Sequence, residues 1–204
     1  MSLVPTTTKG RLARQKILET AASLFHQQGC AATSVDQILQ AAEACKSQFY
    51  HYFPSKECLI GEVLEFHGQR LLEKQRPLQD QCHHWEGLEL WFRSMVESYS
   101  DLERQLGCPV GTLAGELAAR HTTLQQALES VFRRWLQPIS EAFLKMKRSG
   151  RLREDVPADD LALFCGEVIQ GGLLFAKTEQ KVDPLKVALR HLMAYLRSLA
   201  PRAC

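Results

Sequence analysis

The 204-residue sequence is poor in strand-forming residues: ten Val and five Ile stand against thirty Leu and twenty Ala. Leu and Ala favour helix while β-branched side chains favour the pleated sheet, which argues against an all-β fold. Among the seven cysteines, at positions 30, 45, 58, 82, 108, 165 and 204, no two are spaced C-x-x-C. An odd, scattered set is neither a disulfide framework nor a zinc ribbon, and it fits a reducing compartment. The start of the sequence lacks a signal-like apolar stretch, and the most apolar later run, 161–176, is interrupted by Glu167 and Gln170. A cytoplasmic protein with no membrane partner is therefore expected. A converging set of catalytic groups is missing as well. Cys82-His83-His84 is the one metal-like string, and adjacent side chains on a polar connection diverge. We expect no enzyme activity, no metal and no cofactor.

A large charge of either sign is absent too, the formal net charge being +2. Its distribution is more telling than its size. Residues 1–56 carry six Lys or Arg against three acids, a balance of +3, so the remainder is −1. A mildly basic head on a near-neutral body is compatible with nucleic-acid binding. The 45% hydrophobic and 24% charged content is that of a globular chain.

What is present is helical periodicity. Residues 1–10 read as a Thr-rich arm, after which Ile17, Ala21, Leu24 and Phe25 recur at one helix face and Gly29 supplies a stop. Thr33 reads as the N-cap of a short second helix through Val35, Ile38, Leu39 and Ala42, with Asp36 at the acidic position of a short capping box. Glu43, Ala44 and Cys45 make a break, and Lys46 to Tyr52 form a two-turn helix closed by Phe53 and Pro54. Two short helices across a tight break outline a helix-turn-helix. Further helices are expected over 56–76, ended by Pro77, and over 85–106, 110–120, 124–148, 159–178 and 184–199. The expected fold is all-α, with an arm (1–10), a three-helix head (11–56) and a larger helical regulatory and dimerisation body (57–204).

The string Lys46-Ser47-Gln48-Phe49-Tyr50-His51-Tyr52-Phe53-Pro54-Ser55-Lys56-Glu57 is the most specific in the chain. Phe49 and Phe53 share a face at i and i+4 and read as a small core, while Lys46, Gln48, Tyr50 and Tyr52 project elsewhere. Gln can read adenine edges, Lys can reach guanine or phosphate, and Tyr can hold phosphate with its hydroxyl. With Thr33-Ser34-Val35 and Ile38, this string makes residues 11–64 resemble the tetracycline-repressor family of transcriptional regulators. The resemblance implies that Lys46, Ser47, Gln48, Tyr50, His51 and Tyr52 lie on or beside the DNA-facing side of a recognition helix. It also implies that Thr33 caps the preceding helix and that Lys56 approaches a phosphate. The family's turn has Gly, a small apolar residue and Ser where this chain has Glu43, Ala44 and Cys45. Arg11, Arg14 and Lys16 are expected to touch phosphate, or else to be a plain solvated helix start.

One short recognition helix reads few base pairs, so a homodimer on a palindromic double-stranded operator is expected. Two stripes, Leu161, Phe164, Cys165, Val168, Ile169 and Gly172, then Leu185, Leu189, Leu192, Met193 and Leu196, are the interface candidates, with each subunit's own core as the alternative. The resemblance implies a four-helix dimer bundle and a small-molecule inducer. Trp91, Met95, Tyr99 and Trp135 are pocket-lining candidates that core packing would explain equally well. Pro109 suits the first helical position, which puts Cys108 at an N-cap where amide donors favour thiolate. Gly107-Cys108 with Leu113 and Glu116, and Ala176-Lys177 ahead of Asp183-Pro184-Leu185, resemble the electrophile- and oxidant-responsive branch of the family. Lys177 is then a partner for a Cys108 sensor, with Cys45 as its rival and a buried small hydrophobe as the plain reading of Cys108.

Overall fold

A computed structural model describes residues 5–100, 107–118 and 122–201. The expected end of the fifth helix at 101–106, Arg120 and Cys204 lie outside them. Among the described residues every regular element is a helix: α1 (Thr8–Gln28), α2 (Val35–Ala42), α3 (Lys46–Tyr52), α4 (Lys56–Gln79), α5 (Trp85–Tyr99), α6 (Pro109–Leu117), α7 (Thr122–Arg148), α8 (Ala158–Glu179) and α9 (Asp183–Ser198). They form two compact units, one from residues 1–69 and 109–131, the other from 70–108 and 132–204. The first is discontinuous in sequence, so α6, which the sequence reading assigned to the body, packs with the head.

In the first unit α1 packs on α2, α3 and α6. Ile17, Ala21 and Phe25 of α1 are buried together with Ile38, Leu39 and Ala42 of α2 and with Phe49, Tyr52 and Phe53. The rings of Phe49 and Phe53 pack tilted at 46°, 5.7 Å between centroids, and the Arg14 guanidinium lies 5.0 Å over the Phe53 ring. Removing either fully buried Phe side chain would cost about 3–5 kcal/mol.

Local signals correct the sequence reading at three places. Helix α1 begins inside the expected arm because the Thr7 hydroxyl caps it, accepting from Gly10 N–H at 3.1 Å. Ser34, not Thr33, caps α2: its hydroxyl accepts from Gln37 N–H at 3.1 Å and the Gln37 side chain returns to Ser34 N–H at 2.7 Å. Thr33 is fully buried and its hydroxyl donates to the Gly29 carbonyl at 2.7 Å. Pro77 sits inside the last turn of α4, whose end is closed by Asp80 N–H on the Arg76 carbonyl at 2.9 Å.

In the second unit α8 packs on α9, and α9 on α5. Leu161, Cys165, Ile169, Leu173 and Ala176 of α8 are buried together with Leu185, Leu189, Leu192 and Leu196 of α9. Gly172 brings the two helices close, since a Cβ there would lie 3.1 Å from the Ala188 side chain. Helix α8 is long and apolar enough to cross a membrane by length and composition; one apolar face packs on α9, and Leu163, Leu174 and Phe175 are exposed.

Candidate functional site

The chain enters the α2–α3 turn through a residue the turn chemistry would assign to glycine. Glu43 adopts the left-handed conformation (φ 53°, ψ 44°) and its carboxylate is held by Lys16 Nζ at 2.7 Å. That bond and the lysine's charge lower the Glu43 carboxyl below its ordinary range. The turn therefore keeps its shape at a strain of about 1 kcal/mol, and α3 starts where the sequence places it. At its N-cap, Cys45 brings Sγ 3.0 Å from the Ser47 hydroxyl, and the Gln48 side-chain oxygen accepts from Cys45 N–H at 3.1 Å. The Ser47 hydroxyl, then the Gln48 backbone, lower the exposed Cys45 thiol below its usual range.

The face of α3 away from Phe49 carries Lys46, Ser47, Gln48, Tyr50 and His51, all exposed, with Tyr50 at 57%. Lys46 Nζ rests on Asp36 at 3.0 Å, both ends in solvent, a pair too exposed to hold it against a competing phosphate. Two candidates do not join this face. Tyr52 is only 7% exposed and belongs to the small core with Phe53. Lys56 turns inward and donates to the Cys30 carbonyl at 2.6 Å. The basic start of α1 is also engaged: Arg14 meets Glu62 at 2.8 Å, and Arg11 donates to the Thr6 carbonyl at 2.7 Å.

In the second unit Cys108 immediately precedes Pro109, the first residue of α6, and is 6% exposed. Gly107, at φ +78°, lies against the stem of Lys177: a Cβ on it would be 3.3 Å from Lys177 Cδ. The Lys177 stem therefore lies against the residue that precedes Cys108. Burial raises the Tyr99 hydroxyl, and the Cys108 charge raises it further, so Tyr99 belongs to the same cluster. Trp91, Met95 and Trp135 are buried, and one amide holds both indoles: Gln75 Oε1 accepts from Trp135 Nε1 at 2.8 Å and Trp91 Nε1 at 3.3 Å. Gln79, fully buried, donates to the Trp135 carbonyl at 3.2 Å while its Oε1 has no partner. No cluster of three or more metal-ligating side chains occurs among the described residues.

Comparison with known proteins decides the class. Residues 17–63 match the family model described as bacterial regulatory proteins, tetR family, and residues 85–191 match the C-terminal domain of LmrA/YxaF-like transcriptional regulators. The chain belongs to the TetR family of transcriptional regulators. It is 30% identical to the HTH-type transcriptional repressor DhaR of Mycobacterium sp. over 84% of this chain and 86% of that one. The transcriptional regulator YxaF of Bacillus subtilis is 29% identical over 91% and 95%, and the repressor NemR of Escherichia coli 26% over 88% and 91%. A TetR regulatory protein from Rhodobacter sphaeroides superposes with a TM-score of 0.79 at 28% identity, covering 90% of this chain and 98% of that one. The reduced form of E. coli NemR has the same fold, at a TM-score of 0.74, 22% identity and coverage of 88% and 95%.

As a TetR-family protein the chain is a DNA-binding transcriptional regulator and not an enzyme. One site residue that sequence reasoning left without a role here is Glu116, whose carboxylate holds backbone amides 85 and 86 positions earlier. No local pattern announces a contact of that range.

Proposed function

We propose that the protein is a dimeric repressor that leaves a palindromic operator when an electrophile or oxidant modifies Cys108. The observation that carries the sensor role is the Lys177 stem against Gly107, beside a cysteine at the head of α6. With an α,β-unsaturated carbonyl, the thiolate sulfur bonds to the β-carbon, the π pair moves to the α-carbon, and that carbon takes a proton. The relation to NemR, whose structure is that of a reduced form, supports the reading. Trp91 and Trp135, by contrast, are packed and satisfied through Gln75, which favours core over pocket for them.

The dimer rests on the outward face of α8 and α9. Leu163, Leu174, Phe175, Val187 and Tyr195 are 46–63% exposed, and a cavity of about 550 Å³ lies between Phe175, Pro184 and Val187. An apolar face of this kind on a soluble regulator marks an interface. Two heads on a DNA duplex then read two half-sites.

The test is operator release by N-ethylmaleimide in wild type, Cys45→Ser and the Cys45→Ser, Cys108→Ser double variant, followed by fluorescence anisotropy of a labelled palindromic duplex. Cys45→Ser, which lacks the exposed thiol beside the DNA face, still releases DNA, and the double variant does not. Equal release from the two variants removes the sensor role of Cys108, and if Cys45→Ser resists while wild type releases, the reactive thiol is Cys45.

A second reading keeps a reversible inducer. It is favoured by the unpartnered Oε1 of Gln79, a buried side chain bonded to the Trp135 carbonyl, which can accept from a ligand N–H or O–H.

A further inference from the structure

We propose that Glu116 of α6 is a positioning residue for operator recognition, acting by clamping the α1–α2 turn of the head. The turn has few partners of its own. Gly29 ends α1 at φ +86°, and the next two residues direct their N–H groups at a single carboxylate. Glu116 Oε2 accepts from Cys30 N–H at 2.7 Å, and Oε1 accepts from Ala31 N–H. Successive amides aimed at one anion make a nest, and bonds to a charged acceptor are about twice as strong as neutral ones.

The same peptide is gripped from its other end. Lys56 Nζ donates to the Cys30 carbonyl at 2.6 Å, and the Ala31 N–H of that peptide goes to Glu116. One peptide group is thus fixed between a cation of α4 and an anion of α6. Position 29 favours glycine through its φ of +86°, and a Cβ there would stand 3.0 Å from Glu116 Oε2, a tight contact that would press on the carboxylate. Thr33, just before the α2 cap, ties its hydroxyl to the Gly29 carbonyl at 2.7 Å. The clamped turn therefore sets where α2 begins, and α2 packs directly on α3.

None of these groups faces the DNA side of α3, so the effect on binding is one of geometry. Sequence-specific contacts need α3 in register with base edges, while non-specific attraction to phosphates tolerates displacement. The inference holds whichever inducer acts.

The experiment measures binding of wild type, Glu116→Gln and Glu116→Asp to a palindromic duplex recovered by selection from random DNA, and to a scrambled duplex. Gln keeps the length without the charge, and Asp keeps the charge without the reach. Both variants are expected to lose tenfold or more for the selected duplex, with affinity for the scrambled duplex, salt dependence and melting temperature within twofold or a few degrees of wild type. Unchanged affinity for the selected duplex in both variants overturns the proposal. So does a parallel loss on both duplexes with a lower melting temperature, which would make Glu116 a fold residue only.

Discussion

At the recognition helix each exposed side chain reads DNA with the donors its neighbours leave it. Gln48 commits its side-chain oxygen to the Cys45 amide, so its NH₂ group is what remains for a base acceptor, and bidentate reading of adenine would require the cap to open. Tyr50 has no such tie. Tyr50→Ala should therefore weaken operator binding by about 1–3 kcal/mol with no change in melting temperature, checked by anisotropy and thermal unfolding. The thiols differ in the same residue-specific way. Burial pushes Cys82 and Cys165 up to about 12, and burial with Glu116 does the same for Cys30, so they stay protonated at neutral pH. Cys45, exposed and lowered, reaches the thiolate at lower pH than an ordinary cysteine. Mass spectrometry after brief maleimide labelling should find Cys45 modified faster than the exposed Cys58, with Cys82 and Cys165 unmodified in the native state. Lys46, Gln48 and Tyr50 were legible as exposed from the i, i+4 spacing of Phe49 and Phe53, whereas Tyr52, read the same way, is buried with Phe53. Lys56 was not, because its partner is a carbonyl 26 residues away.

Among the elements, every helix was legible from periodicity and punctuation, and the differences lie at the ends. The sequence offers adjacent hydroxyls at Thr33 and Ser34, and only burial of the first decides that the second is the cap. Ser34→Ala should cost about 1 kcal/mol of stability, seen in chemical denaturation. Pro77 reads as a terminator, yet a proline in the last turn removes only one bond and the helix runs on to Gln79. Glu43 shows the opposite balance, a strained backbone kept by an ion pair that is largely in solvent. Glu43→Gly should raise stability by up to about 1 kcal/mol, because relief of the left-handed strain outweighs an exposed pair. A lower denaturation midpoint for that variant would mean the pair with Lys16 is worth more than its exposure suggests.

For the molecule as a whole, periodicity found the apolar stripes of α8 and α9 but could not say what they face. Of the first stripe, Leu161, Cys165, Ile169 and Gly172 are buried within the chain, Val168 is half-buried and Phe164 is exposed at 39%, while Leu185, Leu189, Leu192, Met193 and Leu196 of the second are all buried. The outward residues Leu174 and Phe175 lie beyond Gly172, between the buried Leu173 and Ala176, a distinction that only the three-dimensional packing makes. Leu174→Glu with Phe175→Asp should give monomers by light scattering and lose most operator affinity, since each head alone reads one half-site. The most direct test of the account is an anisotropy titration of wild type against a palindromic duplex selected from random DNA, a single half-site and a scrambled duplex. The account predicts two protomers per palindrome, steep salt dependence and a preference over the scrambled duplex on the order of 10³ or more. Equal affinity for all three duplexes would contradict it.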